Sequence, residues 1–398
     1  MKKISALVFL PLLLIGQAAH GKGADVDTLL KEKKYLSAAR EIRENAELFA
    51  TPKGFMRFVD IVVTYRASTQ NFHAFSMKDL EPGESLEDAR RMAGATTLVE
   101  PDMEELLYER YAANPDSPEV NFAVGEYLSR MAECDCGQPK LFTGEAAYDV
   151  QYFNLALSKG IYDYWSLFRL GLEFHYAGDY AHAADMYRRA RAENPAYIPA
   201  SYNLGVVLLT AGDPAGARAE IEPILDKYPD DYRNSDVHHI MAKINLAQGM
   251  KKEAEEEFLK ALRLNPTHEI AGPDYMDFLK KENRKDDYKK FVMSFLAADF
   301  STPYTFNIYL DYIMKGKPDD FDRSVFGELE KLSFSESMKI GALNFNLGRL
   351  ALFLGEKVKA LDRFRLSKST FEHMKNPPDG ALAALNSLIE QTEKLLAK

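Results

Sequence analysis

The sequence predicts an all-α fold, a solenoid of antiparallel helix pairs, on three observations. A pattern of small residues, larger apolar residues and prolines recurs after about 34 residues, the length of a two-helix unit. The chain has 398 residues, more than one compact core usually holds, which suits a repeat array or two domains. Its apolar fraction of 46% is enough to bury a large core, so the chain is not expected to be disordered.

The clearest copy of the pattern runs from Tyr164 to Tyr197, a second follows directly, a third begins at Ser235 and a fourth near Gly341. The copies share a small residue at the eighth position, Gly at the fifteenth, Ala at the twentieth and, in the first three, Pro at the thirty-second. These residues are Gly171, Gly178, Ala183 and Pro195; Gly205, Gly212, Ala217 and Pro229; Ala242, Gly249, Ala254 and Pro266; and Gly348, Gly355 and Ala360.

Each of these shared positions has a physical reason. Small residues at the eighth and twentieth positions let two antiparallel helices lie close together. Glycine at the fifteenth position suits the turn after the first helix, because it adopts the left-handed conformation without strain. Proline near the thirty-second position ends the second helix. One such pair cannot bury its apolar face alone, so neighbouring pairs are expected to stack.

These units resemble tetratricopeptide repeats. The resemblance implies a right-handed superhelical solenoid whose first helices line a concave groove, and a function in holding another protein or peptide. The inner positions of the first helices carry mainly aromatic and apolar residues, which we predict to form the partner-binding groove: Phe122, Trp165, Phe168, Leu172, Tyr176, Tyr202, Val206 and His239. The alternative is that another part of this chain, such as residues 382–396, fills the groove.

Some members of this family grip a C-terminal carboxylate with Lys and Asn side chains at inner positions. Across the three contiguous units only Asn203 matches that pattern. A clamp of that kind for chaperone tails is therefore not expected here.

Residues 1–21 have the pattern of a secretory signal peptide. Two lysines precede an apolar stretch at residues 4–15, and small residues follow, so cleavage is expected after Ala18 or after Gly21. The stretch is too short to span a bilayer. The style of the signal is bacterial, which predicts a periplasmic protein that is not an integral membrane protein; an uncleaved N-terminal anchor is the alternative.

The remaining chain is predicted to have four parts. Residues 22–117 form one or more helical hairpins and an irregular region, and residues 118–270 form the repeat array, with a Cys-containing insertion at 131–144. Residues 271–340 form degenerate helical repeats, and residues 341–398 form a last repeat with a capping helix. Within the array, the second helix of the copy at Pro118 is expected to be displaced to residues 146–159. Residues 53–101 are interpreted as degenerate repeats or caps, with a small β-hairpin at 64–80 as the alternative.

Motifs that indicate catalytic or cofactor-binding sites are scarce. Phosphate-binding loops, dinucleotide-binding glycines and zinc-protease or serine-hydrolase signatures are absent, so no enzyme and no cofactor is predicted. The formal charge of −10 argues against nucleic acid as a partner. His238 and His239 are adjacent on a helix and point about 100° apart, which makes them poor joint metal ligands, and we expect one packed and one exposed histidine.

The two cysteines, Cys134 and Cys136, lie in the insertion and are the sharpest local feature. In an oxidising compartment they could form a disulfide that staples the loop, or stay as thiols, or bind a soft metal or act in redox chemistry.

Three functions follow. The first is a periplasmic scaffold that binds a protein or peptide of the cell envelope, in assembly of an envelope machine. The alternatives are a thiol or soft-metal handling protein and a polysaccharide-acting enzyme with two scattered carboxylates.

Overall fold

The computed structural model describes residues 25–69, 75–91, 97–98, 102–132, 138–227, 234–298 and 304–397. The signal-peptide prediction and both cysteines lie outside the described residues. The chain divides into two compact units between Pro195 and Ala196. This division falls inside the predicted 118–270 array, whose boundaries stay a prediction.

The N-terminal unit is mostly helical. Its helices are α1 (Val26–Lys31), α2 (Tyr35–Glu44), α3 (Ala46–Ala50), α4 (Pro52–Tyr65), α5 (Leu86–Arg91), α6 (Met103–Ala113), α7 (Pro118–Ala132), α8 (Asp149–Ser158), α9 (Tyr164–Tyr176) and α10 (Tyr180–Glu193), with one 3₁₀ turn at Gly144–Ala147. The core gathers the apolar faces of α2, α4 and α7, and its largest fully buried side chains include Phe55, Phe58 and Tyr127.

In the C-terminal unit every regular element of the described residues is a helix. Its helices are α11 (Ile198–Thr210), α12 (Pro214–Lys227), α13 (Asn234–Ala247), α14 (Lys251–Leu264), α15 (Ala271–Lys281), α16 (Lys285–Ala297), α17 (Tyr304–Ile313), α18 (Asp320–Leu329), α19 (Ser337–Phe353), α20 (Lys357–Glu372) and α21 (Ala381–Leu396). The last helix packs against α20 and is tied to it by an ion pair between Arg365 and Glu393 at 2.7 Å.

Local signals explain where the helix pairs begin and turn. Asp163 caps α9 by accepting the Ser166 N–H at 2.8 Å, while the Ser166 hydroxyl accepts the Asp163 N–H at 2.9 Å. Gly178, between α9 and α10, has φ +77°, a conformation that glycine adopts without strain. Asp179 then caps α10 by accepting the His182 N–H at 3.2 Å.

The predicted helix pairs are confirmed. α9–α10, α11–α12, α13–α14 and α19–α20 coincide with the four copies, and each pair packs together closely. The displaced second helix predicted at 146–159 is α8, whose Phe153 lies against Gly125 of α7. The all-α class built from antiparallel pairs is therefore confirmed.

One local feature departs from the preferred interpretation of residues 53–101. After α4 the chain forms a small antiparallel sheet of β1 (Ser68–Thr69), β2 (Phe75–Met77) and β3 (Thr97–Leu98), in the order β1-β2-β3. The hairpin that was the alternative at 64–80 is thus present as β1–β2. Phe75 and Met77 are fully buried, so apolar burial stabilises strands where β-branched residues are few.

Within the described ranges, we find no helix that is both long and apolar enough to cross a bilayer.

Candidate functional site

A recess in the C-terminal unit lies between the first helices α13 and α15. It is a cavity of about 330 Å³. Its apolar part is made by Leu246 of α13, Phe258 of α14 and Phe278 of α15, and polar side chains surround it: Lys243, Lys251, Asp274, Asp277, Lys281 and Glu282. Leu246 is half-buried, so an apolar floor is accessible inside a polar rim.

The charges on the rim are paired across and along the helices. Lys243 Nζ lies 3.1 Å from Asp274 Oδ2, and Lys281 Nζ lies 2.6 Å from Asp277 Oδ2. Lys251 reaches Glu282 at 2.7 Å. Because every lysine of the rim has a carboxylate, the cavity offers neither a strong positive nor a strong negative field, and apolar contact dominates what it can bind.

A histidine cluster lies beside the cavity, with His239 on α13 and His268 in the turn before α15. His239 Nε2 contacts Asp274 Oδ2 at 2.7 Å, and His268 Nε2 lies 3.0 Å from Asp236 Oδ1. His268 Nδ1 accepts the Ala271 N–H at 3.3 Å at the start of α15. The two imidazole centroids are 5.6 Å apart.

These contacts change the acidity of the carboxylates. The contact with His268 lowers the pKa of Asp236. Burial alone would raise the pKa of Asp274, but the hydrogen bond from His239 and the charge of Lys243 outweigh it, and the pKa falls below its ordinary value. Both carboxylates therefore stay ionised and hold the first helices α13 and α15 together.

The expectation of one packed and one exposed histidine at 238–239 is wrong. His238 and His239 are exposed to 8% and 4%, and each has its own carboxylate. His238 Nδ1 contacts Oε2 of Glu257, on α14, at 2.5 Å. The two imidazole rings therefore point in different directions, as side chains at adjacent helical positions do. His239 is at a predicted groove position but is engaged within the protein.

Two other predicted groove residues of this unit lie on α11. Tyr202 and Val206 are half-buried. Burial and the negative charge of Asp236 on α13 raise the pKa of the Tyr202 phenol, and α11 contacts α13 directly. The inner positions of α11 and α13 are therefore brought together as the repeat register predicts.

In the N-terminal unit, the predicted groove residue Trp165 is buried rather than displayed. Its exposure is 3%, and its indole N–H donates to Ser129 Oγ at 2.8 Å. The guanidinium carbon of Arg130 lies 3.9 Å from the indole ring centroid, a cation–π contact. The expectation that Trp165 is an exposed anchor needs correction, because the end of α7 covers its ring.

The remaining predicted groove residues of this unit differ in exposure. Phe122 and Phe168 are buried, with ring centroids 5.8 Å from Phe153 and 5.7 Å from Tyr187, so both pack onto second helices. Leu172 is half-buried. Tyr176 is 83% exposed, and of the predicted residues of this unit it is the one whose ring is free to contact a partner.

Three carboxyl groups near Trp165 have raised pKa values. Burial raises the pKa of Asp60 and of Asp163, and it raises that of Glu126 well above the ordinary range. Glu126 is 1% exposed, and Arg130 Nε lies 3.8 Å from its Oε2. The sequence pattern gives no sign that Glu126 is buried.

Sequence reasoning also missed the α15 side of the cavity. Asp274, Phe278 and Lys281 lie in the region interpreted as degenerate, where the spacing of small residues is irregular. The signal that could have found them was the apolar stripe of α15, since Tyr275, Phe278 and Leu279 recur at helical spacing.

Comparisons with known proteins agree with the repeat assignment. A family model described as tetratricopeptide repeat matches residues 175–244, and a second with the same description matches residues 235–268. DnaJ homolog subfamily C member 3 of Bos taurus is 24% identical over 249 residues, which cover 57% of this chain and 47% of that protein. The chain thus spans about half the length of this curated relative.

Solved structures with some likeness include a MamA fragment from Desulfovibrio magneticus RS-1, at 19% identity and TM-score 0.33, covering 49% of this chain and 90% of that one. A tetratricopeptide repeat protein from Parabacteroides merdae has 16% identity and TM-score 0.32, covering 73% of this chain and 98% of that one. TM-scores this low do not establish a shared arrangement of helices.

The family assignment rests on the repeats themselves. The two sequence matches meet at α13, and the structure forms the helix pairs that the matched repeats require, with small residues of the first helices against large side chains of the second. Residues 175–268 of this chain are therefore repeats of the tetratricopeptide type.

Proposed function

We propose that this protein is an exported scaffold that binds a segment of another protein on the first helices of its C-terminal unit. Repeat arrays of this type use the face of their first helices to bind other proteins, and typically do not catalyse reactions. The observation that carries the proposal is the cavity between α13 and α15, with its apolar floor and its internally paired rim.

The composition of the cavity fits an apolar side chain flanked by polar groups. Phe258 and Phe278 are buried beneath it, while Leu246 is half-buried and lines the cavity. An apolar anchor of a partner entering here would displace water from these groups without separating a rim ion pair. Anchors of this kind, seated in a pocket with a polar rim, carry most of the binding energy in protein interfaces.

The experiment compares two matched variants. Leu246→Arg places a charge in the cavity, and Leu259→Arg places the same charge on α14 at a side chain that is 42% exposed and lies outside the cavity. A photo-crosslinker at Lys281, which is 74% exposed, is used to trap the partner, which is identified by mass spectrometry and then purified.

With the purified partner, Leu246→Arg should weaken binding at least about tenfold, as loss of a central anchor pocket does, and Leu259→Arg should stay close to the wild type. Circular dichroism confirms that both variants are folded. If both variants bind like the wild type, or both lose binding equally, the cavity is not the binding site.

Export is proposed from the signal-like pattern at residues 1–21. The intact mass of the protein isolated from its own cells should correspond to a chain that begins at Ala19 or at Lys22. A mass that includes residues 1–18 would contradict export by cleavage of a signal peptide.

A further inference from the structure

Arg349 of α19 is held in place by two amide side chains of the first helices. Its Nη1 donates to Asn307 Oδ1 of α17 at 2.7 Å and to Asn346 Oδ1 at 3.4 Å. The Asn346 amide in turn donates to the Ala342 carbonyl at 3.1 Å, so its oxygen is fixed toward the guanidinium. Arg349 is therefore an oriented side chain.

The positive charge of Arg349 has no carboxylate partner within 4.0 Å among the described residues. Other arginines of the unit do: Arg363 contacts Glu330 at 2.9 Å and Arg284 contacts Glu255 at 2.7 Å. Burial lowers the pKa of Arg349, and the carboxylate that acts on it from a distance, Asp311, is exposed. A half-buried cation without a counter-ion is costly, and an anion would remove that cost.

The hydrogen-bonding pattern leaves one edge of the guanidinium available. Both neutral amides are bonded to Nη1, and in the described part of the chain Arg349 makes no hydrogen bond through Nε or Nη2. The Nε–Nη2 edge carries two parallel N–H groups at the spacing of the two oxygens of a carboxylate. The Nε–Nη2 edge of Arg349 can therefore donate two parallel hydrogen bonds to one carboxylate.

Apolar side chains lie on the same face of α19 as Arg349. The Phe345 ring centroid is 5.6 Å from the guanidinium carbon, and Leu352 and Phe353 follow on α19 as half-buried side chains at inner repeat positions. Low polarity around a hydrogen-bonded ion pair strengthens the interaction.

We propose that Arg349 is a binding site for a carboxylate of a partner peptide that carries an apolar group next to it. The proposal deepens the proposed function, because it rests on the first-helix face being the binding face. The site differs from a clamp of Lys and Asn that grips the ligand through its amides, since both amides here present their oxygens to Arg349.

The probe is 3-phenylpropionate, a carboxylate attached to an apolar ring, with 3-phenylpropionamide as its neutral counterpart. Both are titrated into the full chain while the Nε–H signals of arginine side chains are followed by NMR. The acid should shift the Arg349 signal saturably with a Kd in roughly the millimolar range expected for so small a ligand, and the amide should bind at least about tenfold more weakly.

For the variants binding is followed through the NMR signals of the ligand itself, because Arg349→Gln lacks the Nε–H group. Arg349→Gln should weaken binding of the acid at least about tenfold, whereas Arg363→Gln, which removes an arginine that already has a carboxylate, should leave it unchanged. Should Arg349→Gln not fold, Arg349→Lys keeps the charge, loses the fork, and should weaken binding severalfold. No saturable shift in the wild type, or equal binding of the amide, would overturn the proposal.

Inorganic phosphate provides a third arm, because it shares the charge but lacks an apolar group. If phosphate shifts Arg349 at lower concentration than the acid does, the site is one for phosphate and the carboxylate assignment is wrong. If Leu246→Arg loses partner binding while Arg349 still binds the acid, both proposals are supported. If Arg349 binds the acid but Leu246→Arg leaves partner binding unchanged, only the cavity proposal is contradicted.

Discussion

The ring of Tyr187 lies against Gly171 so closely that a Cβ added at Gly171 would come within 2.7 Å of Tyr187 Cε1. The same relationship holds between Gly205 and Ile221, where the closest approach would also be 2.7 Å. In each case a first helix has no side chain where a large residue of its second helix enters. This contact sets the distance between paired helices and explains why the eighth repeat position is small.

Gly171→Val should destabilise the N-terminal unit by about 1–3 kcal/mol, because its side chain overlaps the Tyr187 ring and the helices must separate. The matched control is Gly327→Ala on α18, where an added Cβ would meet nothing within 4 Å. That change should be neutral or stabilise by up to about 1 kcal/mol, since alanine favours helix. Urea unfolding curves measure both, and equal stability of Gly171→Val and the wild type would contradict the packing.

Trp165→Ala should destabilise the protein by about 3–5 kcal/mol rather than act on partner binding alone, because the indole is buried and hydrogen-bonded to Ser129. Trp165→Phe keeps most of the packing and should cost less. Thermal unfolding followed by circular dichroism separates the two variants. A fully stable Trp165→Ala protein would show that the indole is not packed as described.

Glu126 should make the protein less stable as pH rises. A carboxyl whose folded-state pKa lies above its unfolded value of about 4.3 holds its proton more tightly when folded. The free energy of unfolding therefore decreases as the pH rises from the unfolded-state pKa to the folded-state pKa. Glu126→Gln removes this titration and should stabilise by roughly 1–3 kcal/mol at pH 7.5, with a smaller difference at pH 4.5. Unfolding midpoints of both proteins from pH 4.5 to 8 test this; a difference that does not change with pH would refute it.

Lys280 and Asp322 form a buried ion pair between α15 and α18. Lys280 Nζ lies 2.8 Å from Asp322 Oδ1, and the Asp322 side chain is 1% exposed. Lys280→Met leaves that carboxylate without its cation and should cost about 3–5 kcal/mol. The neighbouring Lys281→Met removes a cation that is 74% exposed and should cost at most about 1 kcal/mol. Similar losses in the two variants would argue against a buried pair.

The helix pairs were predictable because their information is local. Gly178, Asp179 and Ala183 fix a turn, a cap and a close contact within a few residues of each other, and α9–α10 formed where they indicate. The small sheet was harder to predict, because β2 is buried by packing against α4 and pairs with β3, contacts that lie far apart in sequence.

The candidate site was only partly predictable for a related reason. The register identified inner positions, but it could not tell which of them the preceding helix covers. Trp165 is covered because Ser129 and Arg130 end α7 beside it, whereas Leu246 stays accessible at the cavity. The α15 wall was missed because its repeat spacing is irregular, although its side chains complete the site.

The most direct test of the central claim is amide hydrogen exchange of the full chain with and without its purified partner. If the first-helix face of the C-terminal unit is the binding surface, peptides from α13, α15, α17 and α19 should gain protection on binding, while those from α14, α16, α18 and α20 stay unchanged. Protection confined to the second helices would contradict the assignment of the binding face.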